Sequence, residues 1–380
     1  MLVCASEMGV VENESEEPNM KRAKQSENNE DRLSDLPDCV LIHLMSFVPT
    51  KDAIRTCVLS RRWKNLWKQL PSLILHSSHF GLKALFYKFV PRVLSFRDYS
   101  VPVHHFDFDV SGRVPPQLVK RVLRYALSHN VQQLKLSVDC DLDLPRSLFF
   151  CQTLTSLDLS VNSRFNSLPK SLNLPALTSL RLHNFVFGDG ELLEPFSSCT
   201  KMKTLVIDNC DVRDTQTLCI SNATLVNMTV CSIISQAYSL VLSTPNLCSF
   251  VFSAFKGGNI NVGEWATSYL ETAFTMNCWL HTFANVRTLT LSSSTLQIFS
   301  LVTDWLNTNT SAPCLSNLKS LIVKVKEPPY QKPRKASKSR KAKLKPYSPV
   351  PEGVVDYLIQ NSSSARVTII DLQSHRRLFC

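Results

Sequence analysis

Residues 154–162 read LTSLDLSVN and residues 202–210 read MKTLVIDNC. Both follow the frame apolar-x-x-apolar-x-apolar, with Asn162 or Cys210 three residues beyond the last apolar position. The frame appears as Val131/Leu134/Leu136, Leu154/Leu157/Leu159, Leu177/Leu180/Leu182, Met202/Leu205/Ile207, Leu225/Met228/Val230, Leu247/Phe250/Phe252, Val286/Leu289/Leu291 and Leu318/Leu321/Val323. In a chain that is 44% apolar such a window arises by chance roughly once in twelve, so its occurrence alone decides nothing. The phase decides: central residues 134, 157, 180, 205, 228 and 250 lie 23, 23, 25, 23 and 22 apart.

That period falls within the range of leucine-rich repeats and predicts an α/β solenoid of strand-turn-helix units with a parallel concave sheet. Side chains alternate along a strand, so Leu157 and Leu159 are expected inside while Ser156, Asp158 and Ser160 line the open face. The same alternation exposes Arg181, His183, Thr204, Asp208, Asn227, Thr229, Ser249 and Val251. Of these, Arg181, Asp208, Thr229 and Val251 are the candidate substrate-binding residues, set side by side on successive strands. The next spacings, 39 and 32, break the period. An insertion at about 253–285, with a helix over Val262 to His281, accounts for the longer one. Several units lack the Asn or Cys, so the turns need not share one hydrogen-bonding ladder.

Residues 31–70 read DRLSDLPDCVLIHLMSFVPTKDAIRTCVLSRRWKNLWKQL. Three short helices are expected. Leu36-Pro37 opens the first, with Ser34 or Asp35 as cap and Pro37 in the first turn. Val40, Leu41, Leu44 and Val48 recur at helical spacing and Pro49 ends the run. A second helix follows Thr50, and a third begins near Ser60 carrying Arg61, Arg62, Trp63, Leu66 and Trp67.

This stretch resembles the F-box, whose pattern of Leu-Pro, spaced aliphatics, Pro and Val-x-Ser-x-x-Trp is met by Leu36, Pro37, Val40, Leu44, Pro49, Val58, Ser60 and Trp63. The wider layout is similar to plant-type F-box/leucine-rich-repeat proteins. The resemblance implies docking to a Skp-type adaptor, and through it a cullin, by Leu36, Pro37, Val40, Leu44, Leu59 and Trp63. It further implies a non-catalytic subunit of a ubiquitin ligase whose repeats bind a protein substrate. A repeat scaffold that binds protein or nucleic acid without directing degradation is the other reading. Forty residues make a marginal core, so packing and docking can share these apolar positions.

The expected organisation is a disordered acidic leader at 1–30, the F-box at 31–75, the solenoid at 76–371 with a basic loop at about 326–349, and a tail at 372–380. A strand near Val103–Val110 and a helix over Pro116–Ser128 belong to the junction before the regular repeats.

Charge is segregated along the chain. Net charge is +11, yet residues 324–345 hold ten Lys or Arg against one Glu, and residues 1–31 hold eight acids against three bases. The run Lys332 to Lys345 reads as a solvated loop or an import signal, and without interleaved aromatics it offers nucleic acid only sequence-independent phosphate attraction. The 13 cysteines contain no C-x-x-C pair and suit a reducing compartment, cytosolic or nuclear. The first residues carry neither a basic n-region nor a long apolar h-region and no run of about 18 apolar residues occurs, so neither a secretory signal nor a membrane span is expected, and the sequons at Asn222, Asn227 and Asn309 are expected to stay bare. Cys278 and His281 form an isolated C-x-x-H and His104-His105 an isolated pair, neither with the further ligands a metal site needs. No phosphate-loop, dinucleotide or hydrolase motif occurs; no catalytic residue, metal or cofactor is assigned.

Overall fold

All 24 side chains of the eight frames above are buried, none more than 5% exposed. The computed structural model describes residues 33–371 except 34, 142, 163–166, 189–191, 213–216, 232–238, 254–265, 301–312, 314, 326–349, 352 and 363. The acidic leader, the basic loop, the tail and Asn309 therefore lie outside the described residues. The chain divides into two units, Met1–Arg164 and Phe165–Cys380.

The first unit opens with helices α1 (Asp38–Met45) and α2 (Thr50–Arg55). Pro37 sits at the N-cap of α1 with extended backbone and no side-chain cap hydrogen bond, so Asp35 does not take the N-cap position as expected, and Ser34 lies outside the described residues. The expected third helix is absent: residues 61–65 are turns, followed by a 3-10 segment at Leu66–Gln69. Burying Trp63, Leu66 and Trp67 together takes only this tighter, shorter coil.

A four-stranded parallel sheet comes next: β1 (Ser72–His76), β2 (His105–Arg113), β3 (Gln133–Asp139) and β4 (Ser156–Asn162), adjacent in that order. Leu73, Phe106, Leu134 and Leu157 stand in register on the buried face. The sheet thus begins two frames earlier than the sequence reading, at Leu70/Leu73/Leu75 and Val103/Phe106/Phe108, all of which are buried. Helices α3 (Lys83–Phe96) and α4 (Pro116–Ser128) form the return legs. Arg97, just past α3, is buried; its guanidinium donates to the carbonyls of Leu70, Val101 and Pro102 and to the Tyr125 hydroxyl.

In the second unit β5 (Ser179–His183), β8 (Thr204–Asp208), β11 (Asn227–Cys231), β13 (Ser249–Ser253), β14 (Thr288–Ser292), β15 (Ser320–Val325) and β16 (Arg366–Asp371) are parallel neighbours in that order. Leu180, Leu205 and Met228 stand in register, as the period predicts. The return legs differ from expectation. Between the main strands lie β6 (Val186–Phe187) paired with β9 (Asp211–Val212), and a second parallel sheet of β7 (Leu192–Leu193), β10 (Thr217–Ser221) and β12 (Ser239–Ser243).

Repeat length explains the difference. A strand covers about 3.3 Å per residue and a helix about 1.5 Å, so a helical return leg needs roughly twice the residues. Central residues 73, 106 and 134 are 33 and 28 apart and leave room for α3 and α4. Spacings of 22 to 25 do not: the leg between β3 and β4 holds only the 3-10 segment Arg146–Phe150, and those after β8 and β11 return extended as β10 and β12. The 39-residue spacing holds α5 (Ala266–Thr282), close to the expected helix, and the 32-residue one holds helix over 293–300, begun by Ser292 Oγ accepting from the Thr295 amide at 3.2 Å. A last helix, α6 (Val354–Ile359), precedes β16.

Two sets of asparagines order the turns. Asn184 and Asn209, just past β5 and β8, take left-handed backbone (φ 62° and 53°), which Asn tolerates better than most residues, and their side-chain amides are hydrogen-bonded to each other. At the strand entrances Asn246, Asn285 and Asn317 donate to the carbonyls of Ala223, Pro245 and Ala284 in the preceding repeat, at 2.7, 2.8 and 2.8 Å. A shared ladder therefore exists after all, at the opposite end of the strands from the consensus position.

Candidate functional site

The first site is an apolar face on the helical opening. In α1, Leu41 and Met45 turn inward and are buried, whereas Val40 and Leu44, one residue earlier in each turn, are 38% and 48% exposed. Phe47 and Val48 beyond α1, and Val58 and Leu59 beyond α2, extend the exposed set, with Leu59 at 62% and Phe47 at 70%. Including Leu33, seven of the fifteen exposed large apolar side chains among the described residues fall between 33 and 59, a concentration that marks an interaction surface.

Of the sequence candidates, Pro37, Val40, Leu44 and Leu59 are exposed and Leu36 is half-buried. Trp63 is buried, so its indole packs the interior and offers no free face to a partner. Phe47 escaped the sequence reading, and Val58, though part of the family pattern, was not among the docking candidates; the exposure of both is set by the short segments that follow the helices.

The framework holding this face is polar. Arg62 Nε donates to Asp38 Oδ1 at 2.6 Å, and its Nη2 donates to the Leu36 carbonyl, tying the turns after α2 to the start of α1. Buried Thr50 accepts from the Ile74 amide at 2.9 Å, and buried Lys51 donates to the His79 carbonyl at 2.9 Å while covering the Phe80 ring. Both contacts fix α2 to β1 and its following turn.

The second site is the open face of the sheet, which carries different chemistry in each unit. In the first unit Ile74, Asp107, Lys135 and Asp158 form one row across β1 to β4. Asp107 is buried between His76 Nε2 at 3.1 Å and Lys135 Nζ at 3.3 Å. Nearby His105 lies 3.0 Å from Ser72 Oγ, and its burial pushes the imidazole pKa down against the opposing pull of Asp107.

In the second unit the matching row is Arg181, Val206, Thr229, Val251, Thr290, Ile322 and Thr368. Apart from Arg181 it is neutral and largely β-branched. Arg181, Thr229 and Val251 share it as expected, with Val206 between the first two. Asp208 does not lie beside Arg181: it occupies the next row, in register with His183 and Cys231, and its Oδ2 is 3.0 Å from His183 Nδ1. Register explains the correction, because Asp208 is the fifth residue of β8 and Arg181 the third of β5.

Cys210, at the consensus position, is buried, and burial pushes its thiol up to about 12. Its sulfur reaches the Leu182 carbonyl at 3.7 Å, a weak stand-in for the amide of Asn. Among the described residues no group of three or more His, Cys, Asp or Glu could hold a metal, and Cys278 of the C-x-x-H is exposed. No described helix is long and apolar enough to cross a membrane.

An exposed apolar helical face followed by stacked parallel strands at a repeat of 22 to 25 residues defines an F-box joined to leucine-rich repeats. Comparison with known families agrees on both parts: residues 33–75 match the F-box domain, and residues 119–263 match the leucine-rich repeats of FBD-associated F-box protein At5g56370. Among curated relatives from Arabidopsis thaliana, the chain is 33% identical to F-box protein At3g03040 over 59% of this chain and 51% of that protein. It is 26% identical to F-box/FBD/LRR-repeat protein At1g78750 over 70% of this chain and 67% of that protein. A third, putative F-box/FBD/LRR-repeat protein At4g13965, is 32% identical over 60% and 55%. The chain thus spans about half to two thirds of the length of the relatives it matches, and it combines an F-box with leucine-rich repeats of the plant type.

Proposed function

We propose that this protein is the substrate-recognition subunit of a Skp-cullin-F-box ubiquitin ligase and has no catalytic step of its own. The exposed set Val40, Leu44, Phe47, Val58 and Leu59, inside the segment that matches the F-box, carries this reading. Apolar side chains in water cost about 25 cal/mol per Å², and docking on a Skp-type adaptor removes that cost. The adaptor in turn joins a cullin. The protein substrate is assigned to the open face of the second unit, where Arg181, Thr229 and Val251 form one row and Asp208 flanks it.

Co-purification tests the reading. The full chain should retain a Skp-type adaptor, and Leu44→Glu with Leu59→Glu should lose it. An unaltered yield of adaptor from that double variant overturns the assignment. Residence in the cytosol or nucleus is part of the same proposal; deleting Lys332 to Lys345 and tracking the tagged chain decides whether this segment sets the distribution.

A further inference from the structure

Two separate stretches supply the exposed apolar face of the helical opening. Leu36, Pro37, Val40 and Leu44 come from the entrance and body of α1, Val58 and Leu59 from the segment after α2. No common helix sets their relative placement, because residues 61–65 are turns. Nor does a cap fix the entrance of α1, where Pro37 occupies the N-cap with no side-chain hydrogen bond. Buried Trp63 anchors the backbone of the turns in the core, and the residue before it faces solvent. That residue is Arg62. Its Nε donates to Asp38 Oδ1 at 2.6 Å and its Nη2 to the Leu36 carbonyl, so it grips the chain on both sides of Pro37.

Arg97 makes contacts of the same kind, with the opposite consequence. Its guanidinium holds backbone carbonyls in the interior and so contributes to the stability of the unit. Arg62 and Asp38 have side chains 34% and 57% exposed, and an ion pair in that setting adds little to global stability. What it restricts is local geometry. A guanidinium presents several N–H groups in a rigid plane, so one side chain can hold a carboxylate and a carbonyl at a fixed separation. Leu36 lies before the first helical turn, where its amide makes only a turn contact to the Leu33 carbonyl at 3.3 Å.

We propose that Arg62 is a positioning residue for adaptor docking. Through Leu36 and Asp38 it sets the entrance of α1 against Val58 and Leu59, so that a partner meets one preformed face. This role rests on the adaptor docking proposed for that face. Without the clamp the entrance is ordered only when the partner arrives, and each backbone residue fixed at that moment lowers affinity by about a factor of ten.

Titration of the purified full chain with a purified Skp-type adaptor tests this. Arg62→Leu should weaken binding about tenfold. Asp38→Ala should weaken it by a smaller factor, since the link to the Leu36 carbonyl remains, and the double variant should be no worse than Arg62→Leu alone because both act through one link. Asp38→Arg with Arg62→Asp should recover part of the loss: the ion pair returns, but without a donor to Leu36 and with a cation in the first turn of α1, where the helix dipole disfavours it. Amide exchange over residues 36–41 should quicken in Arg62→Leu while that of β1 to β4 stays unchanged, a local pattern that a general loss of stability does not give. If Asp38→Ala binds as the unaltered chain does while Arg62→Leu is weak, Arg62 touches the partner directly and the positioning role is wrong. Additive losses from the two single variants, faster exchange throughout β1 to β4, or equal affinity in all variants also overturn it. An unaltered chain that binds no adaptor overturns instead the adaptor reading on which the role rests.

Discussion

Leu and Val at near-helical or strand spacing occur in both the F-box and the repeats, yet their fates are opposite. Between residues 33 and 59 seven large apolar side chains stay in water, while the eight repeat frames bury every one of theirs. The two regions differ in their neighbours. Each repeat strand is covered by the next repeat in the chain, whereas α1 and α2 pack on the rest of their unit with one face only. The far end of the second unit repeats the lesson: on β16, Val367 and Ile369 stand in register with buried Leu321 and Val323 but are 37% and 58% exposed, because no further strand among the described residues covers them. Exposure of an apolar side chain here reports a missing neighbour, not a different residue type.

The largest effect separates the two regions by measurement. Leu180→Ala or Leu205→Ala should lower stability by about 2–5 kcal/mol in denaturant titration, since each leaves a cavity in a continuous core. Leu44→Glu with Leu59→Glu should change stability by less than about 1 kcal/mol, as exposed positions do, while adaptor capture falls by two orders of magnitude or more. Trp63→Ala belongs with the repeat leucines: its burial predicts a loss of about 3–5 kcal/mol read in stability itself. If Leu44→Glu proves as destabilising as Leu205→Ala, the exposed face is a core face and the contrast fails.

Arg97 gives the next effect. Its buried guanidinium is held by backbone carbonyls from the entrance of β1 and the loop after α3, and Arg97→Leu leaves those acceptors unpaired beside apolar neighbours. A loss of about 3 kcal/mol is expected, seen as a lower denaturation midpoint. A neutral result would mean that water replaces the guanidinium without cost.

Much of this was legible in the sequence, and the failures have physical causes. The frames Val131/Leu134/Leu136 through Leu318/Leu321/Val323 were readable because a strand that buries one face must alternate. Leu70/Leu73/Leu75 and Val103/Phe106/Phe108 use the same frame, but their spacings of 33 and 28 fall outside the period, and α3 with its internal Pro91 fits no simple helical pattern. Return strands such as TLCIS at 217–221 were missed because strand-turn-helix was assumed, although a spacing of 23 leaves too few residues for a helix. In the helical opening the pattern identified Val40 and Leu44, but it could not tell that Trp63 points inward or that Phe47 points out. Those outcomes depend on the turn geometry after α1 and α2. The row assignment of Asp208 failed on register, which the repeat count alone does not fix.

Cys210 sharpens the comparison through pH. Its thiol is raised from the ordinary 9.0 to about 12 because burial penalises the thiolate. The unfolded chain ionises this group above pH 9 and the folded chain does not, so the stability it contributes is full below pH 9 and is lost as pH rises toward about 12. At pH 10 one such group loses on the order of 1 kcal/mol relative to pH 7. Cys210→Ala should lower stability at neutral pH yet show a correspondingly flatter decline between pH 8 and 10, measured as the difference between the two chains. Exposed Cys39 and Cys278 should react with a maleimide at pH 8 under conditions that leave Cys210 intact. Equal slopes for both chains would mean that the thiol is hydrated.

The smallest effect concerns the entrance asparagines, which link one repeat to the next. Each donates a side-chain N–H to a carbonyl 23 to 40 residues earlier: Asn246 to Ala223, Asn285 to Pro245 and Asn317 to Ala284. The sites are exposed, so water competes and Asn285→Ala should cost only about 0.5–1 kcal/mol. Asn285→Asp distinguishes a hydrogen bond from mere packing. The aspartate keeps the shape of the amide but has no N–H to donate, and it places a negative oxygen against the Pro245 carbonyl. Asp should therefore be worse than Ala at this position at neutral pH, and the gap should close as pH falls below the carboxylate range and the protonated acid regains a donor. No counterpart exists among the described residues of the helical opening, where the matching restraint is the Arg62 link to Asp38 and Leu36. A ladder contributes repeat by repeat, so removing two asparagines should add nearly linearly, as expected of a quasi-one-dimensional stack. Should Asn285→Asp match Asn285→Ala at every pH, the amide is not donating and the order of the repeats rests on their leucines alone.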